Sequence, residues 1–205
     1  MNAASLDSTL SRLLEQMHQH LDADEIRAAV GLLDTCDPSL KETGTWLNAR
    51  GMIAFRMGEL GVANDYFEQA LQAHGPEVEI LCNLGAVHLE LAKGSAGPQQ
   101  REAYTAALSR LQEALKLAPD SPNVLTNLAL AYTLAGDMSR AEFYLDRALA
   151  NAPRHSSALF QKAQLLYDRG SLADALKLID TILEELPGQQ EALAQRHLIL
   201  DRLSF

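Results

Sequence analysis

Cys82 and His88 are the residues whose types could supply a nucleophile and its base, a thiol and an imidazole on one stretch of chain. Six residues apart on one helix they face apart, and no carboxylate is placed to orient the histidine, so nucleophilic catalysis is not expected. His18 and His20 would need a shared helical face to hold a metal, and two positions apart they do not share one. His74, His88, His155 and His197 fall one to a segment, and Cys36 and Cys82 lie 46 residues apart, outside any metal-ligand spacing. The glycines stand at turns and helix-packing sites and form no phosphate-cradling loop. The expectation is a chain without catalytic residues, without a metal site and without a cofactor.

The elements that carry these residues are amphipathic helices. In the stretch from Pro122 to His155, Leu125, Leu128, Ala129 and Tyr132 share one helical face, and Ala141, Leu145 and Ala148 share another after the turn at Gly136-Asp137. Two short helices joined by a tight turn cannot bury both faces alone and need neighbours of the same kind. The neighbours are present. Leu159, Ala163 and Leu166, the turn Gly170-Ser171, then Ala175, Ile179 and Ile182 repeat the pattern, and Pro119, Pro153 and Pro187 follow one another at intervals of 34 residues.

Before the reference stretch, Leu47, Gly51 and Ala54 precede Gly58-Glu59, and Ala63, Phe67 and Ala70 follow it. Trp46 stands one position early relative to Leu125. The next copy begins at Val78 with Leu81, Leu84, Gly85 and His88, but ten extra residues, Lys93 to Glu102, separate it from Ala107, Leu111 and Ala114. Gly94, Ser95 and Gly97 should end the first helix there, with Pro98 in the first turn of a longer second one. The insertion reads as a loop with a helix extension, or as a lip beside a groove. Ser121 is expected as an N-cap before Pro122. A degenerate pair at 5–38 places Leu6, Leu10 and Met17, then Ile26, Ala29 and Leu32 or Leu33, with Asp22 and Glu25 at capping-box spacing. The chain closes with a capping helix at 189–203. Its Glu191, Gln195, Arg196 and Asp201 should face water, while Leu198, Ile199, Leu203 and Phe205 pack on the preceding pair or form a dimer contact.

The sequence thus predicts a single all-α domain over 1–205, with repeats at 5–38, 44–77, 78–121, 122–155 and 156–188 and the capping helix. A net charge of -10 over 205 residues disfavours nucleic acid, which calls for a basic stripe, and favours basic or apolar partner segments. The first twenty residues lack the basic start and apolar run of a signal peptide, and no run reaches the ~18 apolar residues of a membrane span. Cytoplasmic residence with free thiols is expected, without membrane insertion.

A 34-residue helix-turn-helix unit with large, small and aromatic residues in the first helix and Ala, large, Ala and Pro in the second resembles the tetratricopeptide repeat. The resemblance is close over roughly 44–187 and loose at either end. His88 and Leu166 depart from the tyrosine kept at Tyr132. It implies a right-handed α-solenoid whose first helices line a concave groove for an extended peptide or helix. Carried over position by position, it puts Asn83, Asn127 and Gln161 in a ladder of amides able to bind a peptide backbone. Met52, Cys82, Ala86, Thr126, Leu130, Leu134, Phe160, Gln164 and Tyr167 would share the groove. The basic clamp that chaperone-binding members use for a terminal carboxylate is missing. The implied function is a non-enzymatic protein-interaction module, an adaptor, scaffold or chaperone. The alternative is a scaffold that self-assembles through its groove or its C-terminal end.

Overall fold

The computed structural model describes the backbone of residues 3–22 and 25–204 and the side chains of 11–21 and 25–204. Among these residues every regular element is helical. They are α1 (Ala3–Asp22), α2 (Ile26–Asp34), α3 (Gly44–Arg56), α4 (Leu60–His74), α5 (Val78–Lys93), α6 (Gly97–Leu117), α7 (Pro122–Leu134), α8 (Met138–Asn151), α9 (Ser156–Asp168), α10 (Leu172–Glu185) and α11 (Gln190–Leu203), with a 3₁₀ turn at Pro38–Leu40. The side chains expected at Leu6, Leu10, Asp22 and Phe205 lie outside the described set. The long second helix after the insertion forms as expected, with Pro98 in its first turn. The turns between paired helices are set by chemistry: Gly136 and Gly170 take φ of 77° and 82°, a left-handed conformation that a Cβ disfavours.

Two expected caps differ. The second helix starts at Ile26 with Glu25 in the N-cap position and no side-chain cap bond. Ser121 occupies the N-cap of α7 ahead of Pro122 at the first helical position, but its hydroxyl makes no cap bond either.

The chain divides into two compact units, Met1–Ala114 and Leu115–Phe205. In the first, each helix from α1 to α5 packs on the next, and the first helices also meet in the series α1, α3, α5. The core holds Met17, Leu33, Trp46, Leu47, Phe67, Ile80 and Leu84. Trp46, displaced by one position, explains how α3 seats on α2. Its indole Nε1–H donates to the Leu33 carbonyl at 3.4 Å, Tyr66 meets it edge-on with centroids 6.4 Å apart, and the Arg50 guanidinium lies 5.4 Å from its ring centroid.

In the second unit, α7 to α11 pack in the same sequence, and α7 also meets α9. Leu159, Ala163, Ile179, Ile182, Ala192 and Ile199 form one buried cluster. An ion pair recurs at the joints between repeats. Arg196 Nε donates to Asp180 Oδ1 at 2.7 Å, Lys162 pairs with Asp146, and within the first unit Arg50 Nη1 donates to Asp34 Oδ1 at 3.1 Å. In every case the basic residue stands on a first helix, 16 residues after an acid on the preceding second helix. Such exposed pairs contribute about 0–1 kcal/mol each, so they set register more than stability. Leu84 and Leu128 occupy the matching places in the remaining repeats, where they are fully buried.

His155 ends the loop before α9 and caps that helix. Its Nδ1 accepts from the Ala158 N–H at 3.3 Å while Nε2 meets Asn123 Oδ1 at 2.8 Å, which fixes the neutral tautomer with its proton on Nε2. Burial holds the His155 pKa below its ordinary value. The cap's contribution, about 0.5–2 kcal/mol, is therefore complete above that ordinary value and is lost as the pH falls through the lower folded-state value. His155→Asn keeps a capping acceptor that does not titrate. Thermal unfolding between roughly pH 7.5 and 5 should show a steeper loss of Tm for the wild type than for this variant.

Candidate binding site

Cavities lie against the first helices of both units. In the first unit, α1 supplies Leu14, Met17 and His18 to a cavity of about 100 Å³ that it shares with Asn48 and Met52 of α3 and Glu79 of α5. A neighbouring cavity of about 120 Å³ brings Leu21 and His18 to Met52, Asn83 and Ala86. The N-terminal helix therefore forms a wall here. Between the two runs a polar relay: Asn83 Nδ2 donates to Asn48 Oδ1 at 3.0 Å, and Asn48 Nδ2 donates to Glu79 Oε1 at 2.8 Å. Asn48 is only 9% exposed, so the relay satisfies a buried amide and ties α3 to α5. Part of the hydrogen-bonding capacity assigned to Asn83 for a ligand is spent inside the protein.

The second unit holds the roomiest of these cavities, about 310 Å³. From α7 it takes Leu130 and Thr133, from α9 Gln161, Gln164, Leu165, Tyr167 and Asp168, and from α11 Gln195. Helical periodicity puts these residues together. On α9 the spacing of Gln161, Gln164, Leu165 and Asp168 is a run of third and fourth neighbours on one face. The Gln161 Oε1 is buried and accepts no hydrogen bond from the described residues. Thr133 donates its hydroxyl to the Ala129 carbonyl at 3.0 Å, leaving that oxygen acceptor capacity alone. Tyr167 is fixed at both ends: its carbonyl accepts from Arg202 Nη1 at 3.4 Å, and the guanidinium lies 5.0 Å from its ring centroid.

Four residues that the sequence assigns to a groove, Leu130, Gln161, Gln164 and Tyr167, are gathered here. Met52, Asn83 and Ala86 line the cavities of the first unit. The others are placed differently. Cys82 is 7% and Thr126 3% exposed, and the Thr126 hydroxyl bonds its own helix at the Pro122 carbonyl, 2.7 Å away. Phe160 packs against the Ile179 cluster, Leu134 is exposed, and Asn127 is half-buried but outside the cavity lining.

Sequence reasoning did not single out Thr133, Leu165 and Asp168, and it placed Gln195 on a face turned to water. Gln195 is instead half-buried and closes one wall. The signal was present, since Gln195 follows Gln161 by 34 residues and extends the same amide series onto α11. Arg196, grouped with it, is occupied by Asp180.

Of the residues first considered for chemistry, His18 lines both cavities of the first unit, whereas Cys82 and His88 line none of the three. His88 is half-buried. Burial and then the Arg110 charge lower its pKa against an opposing pull from Glu68. Among the described residues, no three His, Cys, Asp or Glu side chains gather as metal ligands, and no helix is long and apolar enough to cross a membrane.

Comparison with known proteins agrees with this geometry. The sequence profile of the tetratricopeptide repeat matches residues 99–158 and 133–196. No curated protein matches the chain in sequence. Among solved structures, the thermophilic TPR protein TTC0263 of Thermus thermophilus superposes with a TM-score of 0.83 at 19% identity, covering 93% of this chain and 98% of that one. PilF of Pseudomonas aeruginosa gives 0.68 at 19% identity over 98% and 86% of the two chains. YrrB, described as a TPR protein with an unusual peptide-binding site, gives 0.53 at 18% identity over 90% of each. The 34-residue period, the paired helices with small residues at their contacts and the profile match together identify tetratricopeptide repeats over residues 99–196, and the superposition extends the same fold over 93% of the chain.

Proposed function

We propose that the chain is a non-enzymatic adaptor that holds a segment of a protein partner against the first helices of its repeats, with the cavity between α7, α9 and α11 as its principal seat. The observation that carries this reading is the composition of that cavity. Leu130, Leu165 and Tyr167 offer surface for an apolar side chain, while Gln161, Gln164 and Gln195 offer amide donors and acceptors to a peptide backbone. Proteins of this family are generally protein-interaction modules, and YrrB carries a peptide-binding site on the same fold. Scaffold and chaperone roles are uses of the same holding surface. A net charge of -10 favours basic or apolar partner segments and works against nucleic acid.

The test is to pan a random-peptide display library against the folded protein and measure enriched peptides by calorimetry. Wild type should yield peptides that bind, and Leu130→Glu should weaken them at least about a hundredfold, because an unpaired carboxylate would then be desolvated against the ligand. Leu130 is half-buried, so circular dichroism should show the variant folded. A library without enriched binders, or equal binding by the folded variant, would sink the reading.

A further inference from the structure

The cavity between α7, α9 and α11 has an unbalanced set of polar groups, and the imbalance points to what enters it. Asp168 is the one charged side chain among its lining residues, and no ion pair to it is found among the described residues. The cations of α9, of its C-cap and of α11 are engaged elsewhere: Lys162 with Asp146, Arg169 with Glu142, Arg196 with Asp180, and Arg202 over the Tyr167 ring. Thr133 has spent its only proton on the Ala129 carbonyl, so its hydroxyl oxygen can only accept. Acceptors in a partly apolar recess, one of them anionic, are completed by a group that brings several N–H donors and positive charge on an aliphatic stem.

We propose that this cavity is a side-chain pocket for a lysine or arginine of the bound protein segment. The aliphatic stem lies along Leu130 and Leu165, and the ammonium or guanidinium donates to the Asp168 carboxylate. This deepens, and rests on, the adaptor reading, since it specifies which residue of the partner the seat selects. Charge complementarity works at two ranges. The net charge of -10 draws basic segments to the protein, and Asp168 fixes where the basic residue settles.

Panning the same library against wild type, Asp168→Asn and Asp168→Lys tests the assignment. Asp168 is exposed and without an ion pair among the described residues, so both variants should fold, and their melting curves confirm it. Wild type should enrich peptides with Lys or Arg at one fixed position. Replacing that residue by norleucine or citrulline in the synthetic peptide should weaken binding about tenfold, and the same replacement should make little difference to Asp168→Asn. Asp168→Lys should lose the basic preference altogether. Enriched peptides without a fixed basic residue, or a basic preference that survives in both variants, overturn the pocket while leaving the adaptor reading standing. A wild-type library without binders overturns both. A wild-type dimer that dissociates in Asp168→Asn would assign the pocket to a second copy of this chain and also overturn the proposal.

Discussion

Replacing Phe67 by alanine should destabilise the first unit by about 3–5 kcal/mol, read as a lower urea midpoint at unchanged slope. The ring is 1% exposed and fills the space that Gly51 leaves open: a Cβ built on Gly51 would stand 2.6 Å from both Cδ1 and Cε1 of Phe67. The two positions are therefore coupled, and the coupling has a sign. In the wild type, Gly51→Ala gains about 1 kcal/mol of helix propensity but loses about 1–3 kcal/mol to overpacking, for a net destabilisation. In the Phe67→Ala background the obstruction is gone, so the same substitution should stabilise by up to about 1 kcal/mol. A double-mutant cycle reads the reversal. Additive effects would mean that ring and glycine do not compete for that space.

Ile199→Ala in α11 should cost the second unit about 2–5 kcal/mol, whereas Leu198→Ala, its chain neighbour, should stay within about 0.5 kcal/mol. Ile199 is fully buried against the Ile179 and Ile182 cluster, and Leu198 is 53% exposed. The sequence left two fates open for the apolar end of the chain, packing inward or meeting a second copy. The structure divides them by residue: Ile199 packs inward, while Leu198 and Leu203 remain at the surface. Equal and small effects at both positions would show α11 to be peripheral, despite its contacts through Arg196 and Arg202.

What was legible in the sequence was whatever is written in period and size. The proline interval, the glycines of the turns and the small residues at Gly51, Gly85, Ala129 and Ala163 each answer to a steric rule with few alternatives, and the helices fall where those rules place them. Polar groups were read less well, because a hydrogen bond depends on which partner another repeat presents. Asn83 was expected in a ladder of amides able to bind a peptide backbone, and its Nδ2 donates to Asn48. Thr126 was expected in the groove, and its hydroxyl turns to its own helix. Gln195 was read as solvent-facing because the last helix was treated as a cap, although its spacing from Gln161 places it in the same amide series, and it lines the cavity. Asp168 follows the groove-assigned Leu134 by 34 residues, so its place in the cavity lining was legible in the period and was passed over.

The recurring ion pair has a consequence for how such a chain can change length. Lys162 with Asp146 and Arg196 with Asp180 are one contact written twice, a full repeat apart. Excising residues 156–189, which number 34, would bring Asp146 to the same 16-residue distance from Arg196 that it now keeps from Lys162. The joint is thus interchangeable, and unequal recombination at these boundaries can add or remove a module of the gene without inventing new joint chemistry. The segment from Lys93 to Glu102 closes that route between α5 and α6, because a crossover there falls out of phase with the period.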